Sequence, residues 1–154
     1  MKILVCVDLS ESTEKIVKKV EEIAKVLSAK VWLLHVAEPD PGFIGLDVDP
    51  QVGLNADPQS VRDALAKGFH GGHFQIQKIA DRLRKAGLAT TALLVQGAME
   101  ETILKQASKL GIDMIVVGSH GRGAMYQLLV GSVSEGVLHG AECPILVVPT
   151  HDRP

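Results

Sequence analysis

Gly118 and Gly121, followed after nine intervening residues by the pair Gly131-Ser132, are the residues whose types and spacing bear most directly on chemistry. Glycine lets the main chain come close to a ligand and take positive φ, so such a stretch can turn several amide N–H groups toward an anion. Ser132 stands three residues before Glu135, the spacing of a capping box, which predicts a helix beginning at Ser132 with its unpaired N–H groups toward the loop. Helix N-termini attract phosphate. Ser119, Ser132 and Ser134 add hydroxyl donors, Arg122 adds a charge-assisted one, and Val117 and Val133 flank the stretch with main-chain groups. The pattern reads as an anion-binding loop.

A loop of this kind needs a strand before it and a helix after it. The apolar run Met114 to Val117 supplies the strand, and Ser132 to His139, stopped at Gly140, supplies the helix. The same alternation runs through the chain. Ile3 to Val7 reads as a first strand, and Ile16, Val20, Ile23 and Leu27 mark the apolar face of the helix after it. Val31 to Val36 is a second strand, apolar on both faces as a central parallel strand is. The segment from Pro39 to Asn55 is rich in Pro, Gly and Asp and is the longest irregular stretch. Asp57-Pro58 then marks a helix start, and Val61, Leu65, Phe69, Ile76, Ile79 and Leu83 carry one helix to a stop at Gly87, despite Gly68, Gly71 and Gly72. Ala89 to Val95 is a third strand, Ile103, Ala107 and Leu110 mark a helix that Gly111 ends, and Ile145 to Val148 is a fifth strand. The order βαβαβαβαβ implies an α/β fold, an open doubly wound parallel sheet with helices on both faces. Residues 1–150 form one domain in this reading, and 151–154 are a frayed tail.

Ligands of such a sheet bind beyond the carboxyl ends of the strands, where strand order reverses. Asp8, Val36 and Gly118 each follow or close a strand, so neighbouring first and fourth strands bring them together. Asp8 can accept from a ribose hydroxyl or help hold a metal, while main-chain groups near Val7 and Val36 can pair with a base. Asp8 can equally cap the first helix, and the glycines can serve a tight turn. GxxxxGK[ST] is absent, and the first strand–helix turn has no GxGxxG, which excludes a P-loop and a dinucleotide fingerprint of the usual form. Asp8, His120 and Ser119 or Ser132 lack the GxSxG setting of a hydrolase nucleophile. His70 and His73 have no third ligand spaced to join them as a metal site, and His35 reads as a satisfied strand histidine. Trp32 reads as core or interface.

The chain has 154 residues, 46% hydrophobic and only 3% aromatic, so aliphatic side chains fill the core. A formal charge of −2 and a pI near 6.3 give no overall basic signature, which argues against nucleic acid as a partner. No segment approaches membrane-spanning length, and the first apolar run is too short for a signal peptide. Cys6 and Cys143 show no CxxC spacing and read as small core residues of a cytoplasmic chain.

Gly118-x2-Gly121-x9-Gly131-Ser132, together with Val5-Cys6-Val7-Asp8, Leu33-Leu34-His35-Val36 and the ending Cys143 to Val148, resembles the ATP-binding subgroup of the universal stress protein family, from Met1 to about Pro149. The resemblance implies five parallel strands in the order 3-2-1-4-5, with the first and fourth as neighbours. It further implies ATP with Mg or Mn near its phosphates and a homodimer formed through the last strand. The expected role is regulatory, nucleotide occupancy biasing the homodimer or an unidentified protein partner. A slow ATP hydrolase and a nucleotide-free adaptor are the alternatives. Many members read Asp-Gly-Ser where this chain has Asp8-Leu9-Ser10, so the ribose edge is expected to differ in shape.

Overall fold

Alternation along the strands sorts the aliphatic side chains into two layers. The computed structural model describes residues 1–37, 58–119 and 132–150. Its strands are β1 (Lys2–Cys6), β2 (Lys30–Ala37), β3 (Thr90–Gln96), β4 (Met114–Gly118) and β5 (Ile145–Val148). Its helices are α1 (Ser12–Val26), α2 (Pro58–Lys85), α3 (Met99–Leu110) and α4 (Ser132–Gly140). Every strand pairing is parallel, in the order β3-β2-β1-β4-β5, as the resemblance implied.

On one face, Ile3, Val5, Val7, Leu33 and Val116 pack with Ile16, Val17 and Val20 of α1 and with Ile76 and Leu83 of α2. On the other, Leu4, Cys6, Leu34, Val36, Ile115 and Val117 pack with Ile103 of α3 and Val137 of α4. Each such aliphatic side chain contributes roughly 1.5–3 kcal/mol when fully buried, so the two apolar layers hold the sheet between its helices.

α2 runs unbroken through Gly71 and Gly72 and starts at Pro58. Leu88, buried just past its end, docks the helix on the sheet, and tertiary packing of this kind outweighs the intrinsic cost of the glycines. α3 ends at Gly111, whose φ of 60° lets its N–H reach Ala107 O and Ser108 O. The third strand begins at Thr90, one residue later than the apolar run.

Two expectations need correction. The buried face of α1 is Thr13, Ile16, Val17, Val20 and Ala24, while Leu27 is 39% exposed and lies beyond the helix. Steps of three and four allow either Ile23 or Ala24 after Val20, and close approach to the sheet selects the smaller residue. Cys143 is half-buried rather than core, whereas Cys6 is fully buried and its thiol is pushed up to about 12 by loss of solvent. Burial raises the Cys143 thiol as well.

α3 and α4 meet through small residues. A Cβ at Gly140 would lie 2.6 Å from Leu104 Cδ1, and one at Gly136 would run into the Glu100 carboxylate. Glycines four apart on α4 thus face side chains four apart on α3, so the two helices pack closely. The Pro39 to Asn55 segment, the Asp57 cap and the tail lie outside the described residues. Among the described residues no helix is long and apolar enough to cross a membrane.

Candidate functional site

The sheet opens on both sides of β1 at its carboxyl end. The β1–β2 pairing runs from Lys2↔Lys30 to Cys6↔Leu34 and stops, and the β1–β4 pairing stops at Val5↔Val116. Main-chain hydrogen bonds show which way each residue then faces. Lys30 donates to Met1 O at 2.9 Å and Val7 donates to Leu34 O at 2.9 Å, so even-numbered β2 residues turn their main-chain groups to β1. Val31 donates to Ala89 O at 2.8 Å and Gly97 donates to Ala37 O at 3.2 Å, so odd-numbered ones turn to β3. Val36 therefore directs its N–H and C=O to the β1 side, past the last pair. Among the described residues neither group has a main-chain partner there. On β4, Ile115 and Ser119 donate to β5-side carbonyls at 3.0 and 2.8 Å, which turns Gly118 toward β1, again past the last pair. Val7, Val36 and Gly118 thus border one gap.

Asp8 stands at the mouth of this gap. Its Oδ1 accepts from Ser10 N–H at 3.0 Å, Ser10 Oγ at 2.6 Å and Thr13 Oγ1 at 3.4 Å. The carboxylate therefore organises the turn before α1 in the manner of an Asx turn, and it does not cap the helix, whose N-cap position is held by Glu11 with no side-chain bond. Leu9 between them has φ 59°, the left-handed region that favours glycine. The main chain keeps the turn that an Asp-Gly-Ser sequence would take with ease, at a cost of about 1–2 kcal/mol for a residue bearing Cβ. The leucine side chain packs toward α2, where a Cβ at Gly72 would lie 3.8 Å from Leu9 Cδ1. The expected difference at this edge is thus one of side chain, with the glycine-like backbone retained.

Ser119 is tied down by β5. Its Oγ accepts from Thr150 N–H at 2.9 Å, and Lys15 Nζ of α1 donates to Thr150 O at 3.0 Å. Gly118 has no room for a side chain: a Cβ would lie 2.8 Å from Ile16 Cδ1 and 3.0 Å from Thr150 Cγ2. The closeness of α1 and Thr150 accounts for glycine there apart from any ligand. Ser132, Val133 and Ser134 form the first turn of α4, which begins at Ser132 as the capping-box spacing predicted. Gly121, Arg122 and Gly131, like His120, lie outside the described residues.

Thr13, Thr150 and His35 take part in this end of the sheet without being singled out beforehand as site residues. His35 Nδ1 lies 2.9 Å from Val7 O. The strand pattern predicts a satisfied His35 but carries no signal of its partner. His70 and His73 are exposed on α2. Among the described residues no three His, Cys, Asp or Glu side chains gather as a metal cage.

Known proteins share both pattern and fold. The model of the Universal stress protein family matches residues 1–149. Universal stress protein A homolog 2 of Coxiella burnetii is 31% identical over 148 residues, covering 96% of this chain and 93% of its own. Universal stress protein MJ0577 of Methanocaldococcus jannaschii is 31% identical over 154 residues, with the same coverage. The solved structure of MJ0577 superposes with a TM-score of 0.75 at 27% identity, covering 99% of this chain and 97% of that one. A universal stress protein in complex with cAMP superposes at 0.67 with 21% identity, covering 98% of each chain. One from Archaeoglobus fulgidus in complex with dAMP superposes at 0.60 with 19% identity, covering 96% and 97%.

Proposed function

Because the chain belongs to the universal stress protein family, we propose that it is an adenine-nucleotide-binding regulatory protein that holds ATP at the gap between β1 and β4. The observation that carries this reading is the opening of the sheet on both sides of β1, with the main-chain groups of Val36 and Gly118 facing the opening. Structural neighbours solved with cAMP and dAMP support adenine nucleotides as the ligand class. In this reading the base lies against Val7 and Val36 and the ribose against Asp8. The phosphates lie along Gly118, Ser119, Gly121, Arg122 and Gly131 toward the first turn of α4 at Ser132, Val133 and Ser134. A Mg or Mn ion rides on phosphate oxygens with one or two protein oxygens, as Mg commonly does, and needs no cage of side chains. Asp8 already accepts three hydrogen bonds on one oxygen, a poor setting for a general base, so holding the nucleotide is favoured over hydrolysing it.

The protein acts as a cytoplasmic homodimer joined through β5 in the same reading. β5 ends the sheet, and a groove of about 580 Å³ between α1 and Val147–Pro149 leaves Val147 38% exposed. Light scattering on the wild type and on Val147→Lys checks this, dimer and monomer being expected.

Denaturing the purified protein and identifying the released small molecule tests the nucleotide reading. Bound ATP, or a thermal upshift with Mg-ATP that Gly131→Val abolishes without unfolding the chain, supports it. No nucleotide and no upshift refute it.

A further inference from the structure

The β1–β2 ladder stops one rung short of where its strands would allow, and a side chain occupies the missing position. Its rungs advance two residues at a time, and after Val7 N–H to Leu34 O the next is Val36 N–H to Val7 O. That rung is not made, since the pairing ends at Cys6↔Leu34. His35 Nδ1 instead lies 2.9 Å from Val7 O. A carbonyl only accepts, so Nδ1 carries the proton and donates. The ring is held from above by α2: a Cβ at Gly72 would lie 3.7 Å from His35 Cδ2 and 3.9 Å from Leu94 Cδ1, beside Leu9. Val36 is 5% exposed, so its N–H and C=O face a gap with little water to satisfy them.

We infer that His35 is a positioning residue that takes the Val7 carbonyl, keeps the last rung open, and leaves the Val36 N–H and C=O as a donor–acceptor pair for an adenine edge. This rests on the nucleotide reading above and adds base selection to it. Adenine offers a ring-nitrogen acceptor beside an amino donor, the complement of one residue's N–H and C=O. Guanine offers the two in the opposite order along the same edge. A pocket that hydrogen-bonds its ligand rejects the mismatched one because its own buried groups are left unpaired.

Scalar coupling across hydrogen bonds, read by NMR between Val36 N and Val7 C′, tests the rung without any ligand. No coupling is expected in the wild type, coupling in His35→Leu, and none in His35→Asn, whose amide reaches the place of Nδ1. Titration with ATP and GTP then reads the consequence. ATP affinity should fall about tenfold in His35→Leu, the worth of one net hydrogen bond, with GTP binding unchanged and ATP affinity restored in His35→Asn. Should His35→Leu fail to fold, His35→Phe, which keeps a ring but has no donor, replaces it in both measurements. A rung already closed in the wild type overturns the inference, as does unchanged ATP affinity in the variants that lack the donor. A wild-type chain that binds no nucleotide refutes the nucleotide reading instead, and the ligand-free coupling still decides whether His35 holds the rung apart.

Discussion

Gly118→Ala perturbs the point where β4, α1 and the end of β5 meet. The new Cβ would lie 2.8 Å from Ile16 Cδ1, 3.0 Å from Thr150 Cγ2 and 3.4 Å from Ile16 Cγ1. Ile16 is 1% exposed and cannot swing into solvent, so relief must come from a strained rotamer or a shift of α1. Overpacking of this kind costs about 1–3 kcal/mol. Restricting the unfolded chain returns roughly 0.4–1 kcal/mol of that. A net loss of about 1–2 kcal/mol is expected, or a fall in Tm of about 2–8 °C for a chain of this length. Ile16→Val removes Cδ1 and by itself costs about 0.5–1.5 kcal/mol. In the double variant the worst contact is gone, leaving Thr150 Cγ2 at 3.0 Å and the Cγ1 of residue 16 at 3.4 Å, so the two losses should fall short of additivity by about 1 kcal/mol. Urea denaturation followed by circular dichroism on the four proteins measures the cycle. Additivity within about 0.3 kcal/mol, or a Gly118→Ala variant as stable as wild type, would refute the packing account.

Cys6 makes stability depend on pH. Burial pushes its thiol from an ordinary 9.0 up to about 12, so above pH 9 the unfolded chain loses a proton that the folded chain keeps. Stability should therefore be unaffected below that point and fall as pH rises between 9 and 12, by about 1.4 kcal/mol per pH unit from this group. Urea midpoints of wild type and Cys6→Ala across that range should converge as pH rises; parallel curves would contradict it. Gly136→Ala puts its methyl against the far end of the Glu100 side chain, which turns aside, so stability should stay within about 1 kcal/mol of wild type, helix propensity offsetting the displaced carboxylate. Thermal unfolding reads this directly, and a loss of more than about 2 kcal/mol would show that Glu100 cannot move aside.

Much of the architecture was legible in the residues because its causes are local. The β-branched runs of β1, β2 and β4, the proline start of α2 and the glycine stops at Gly87 and Gly111 act within a turn or two of chain. Alternation of strands and helices then leaves few topologies, and a parallel doubly wound sheet is what such an order folds into. The gap beyond β1 followed from the same logic, since Asp8, Val36 and Gly118 all stand at or just past the carboxyl ends of strands. The part of the glycine stretch that first marked the site, Gly121 to Gly131, lies outside the described residues, and its role is carried by the proposal.

What the chain order could not determine is which atoms meet once the strands are in register. Asp8 reads as a ligand residue and as a helix cap alike, and only the folded turn shows its carboxylate bound to Ser10 and Thr13, with Glu11 at the N-cap of α1. Leu9 gives no sign of a left-handed backbone, because the conformation is imposed by the turn from β1 to α1 and the packing of its side chain under α2. Ser119 finds Thr150, and Lys15 finds the same residue, across 31 and 135 positions of sequence. His35 meets Val7 O across 28 positions, and with that bond the ladder stops and Val36 is left facing the gap. Local propensity sets where strands begin and end, but a hydrogen bond needs two groups within about 3 Å, and only tertiary register brings such distant groups that close.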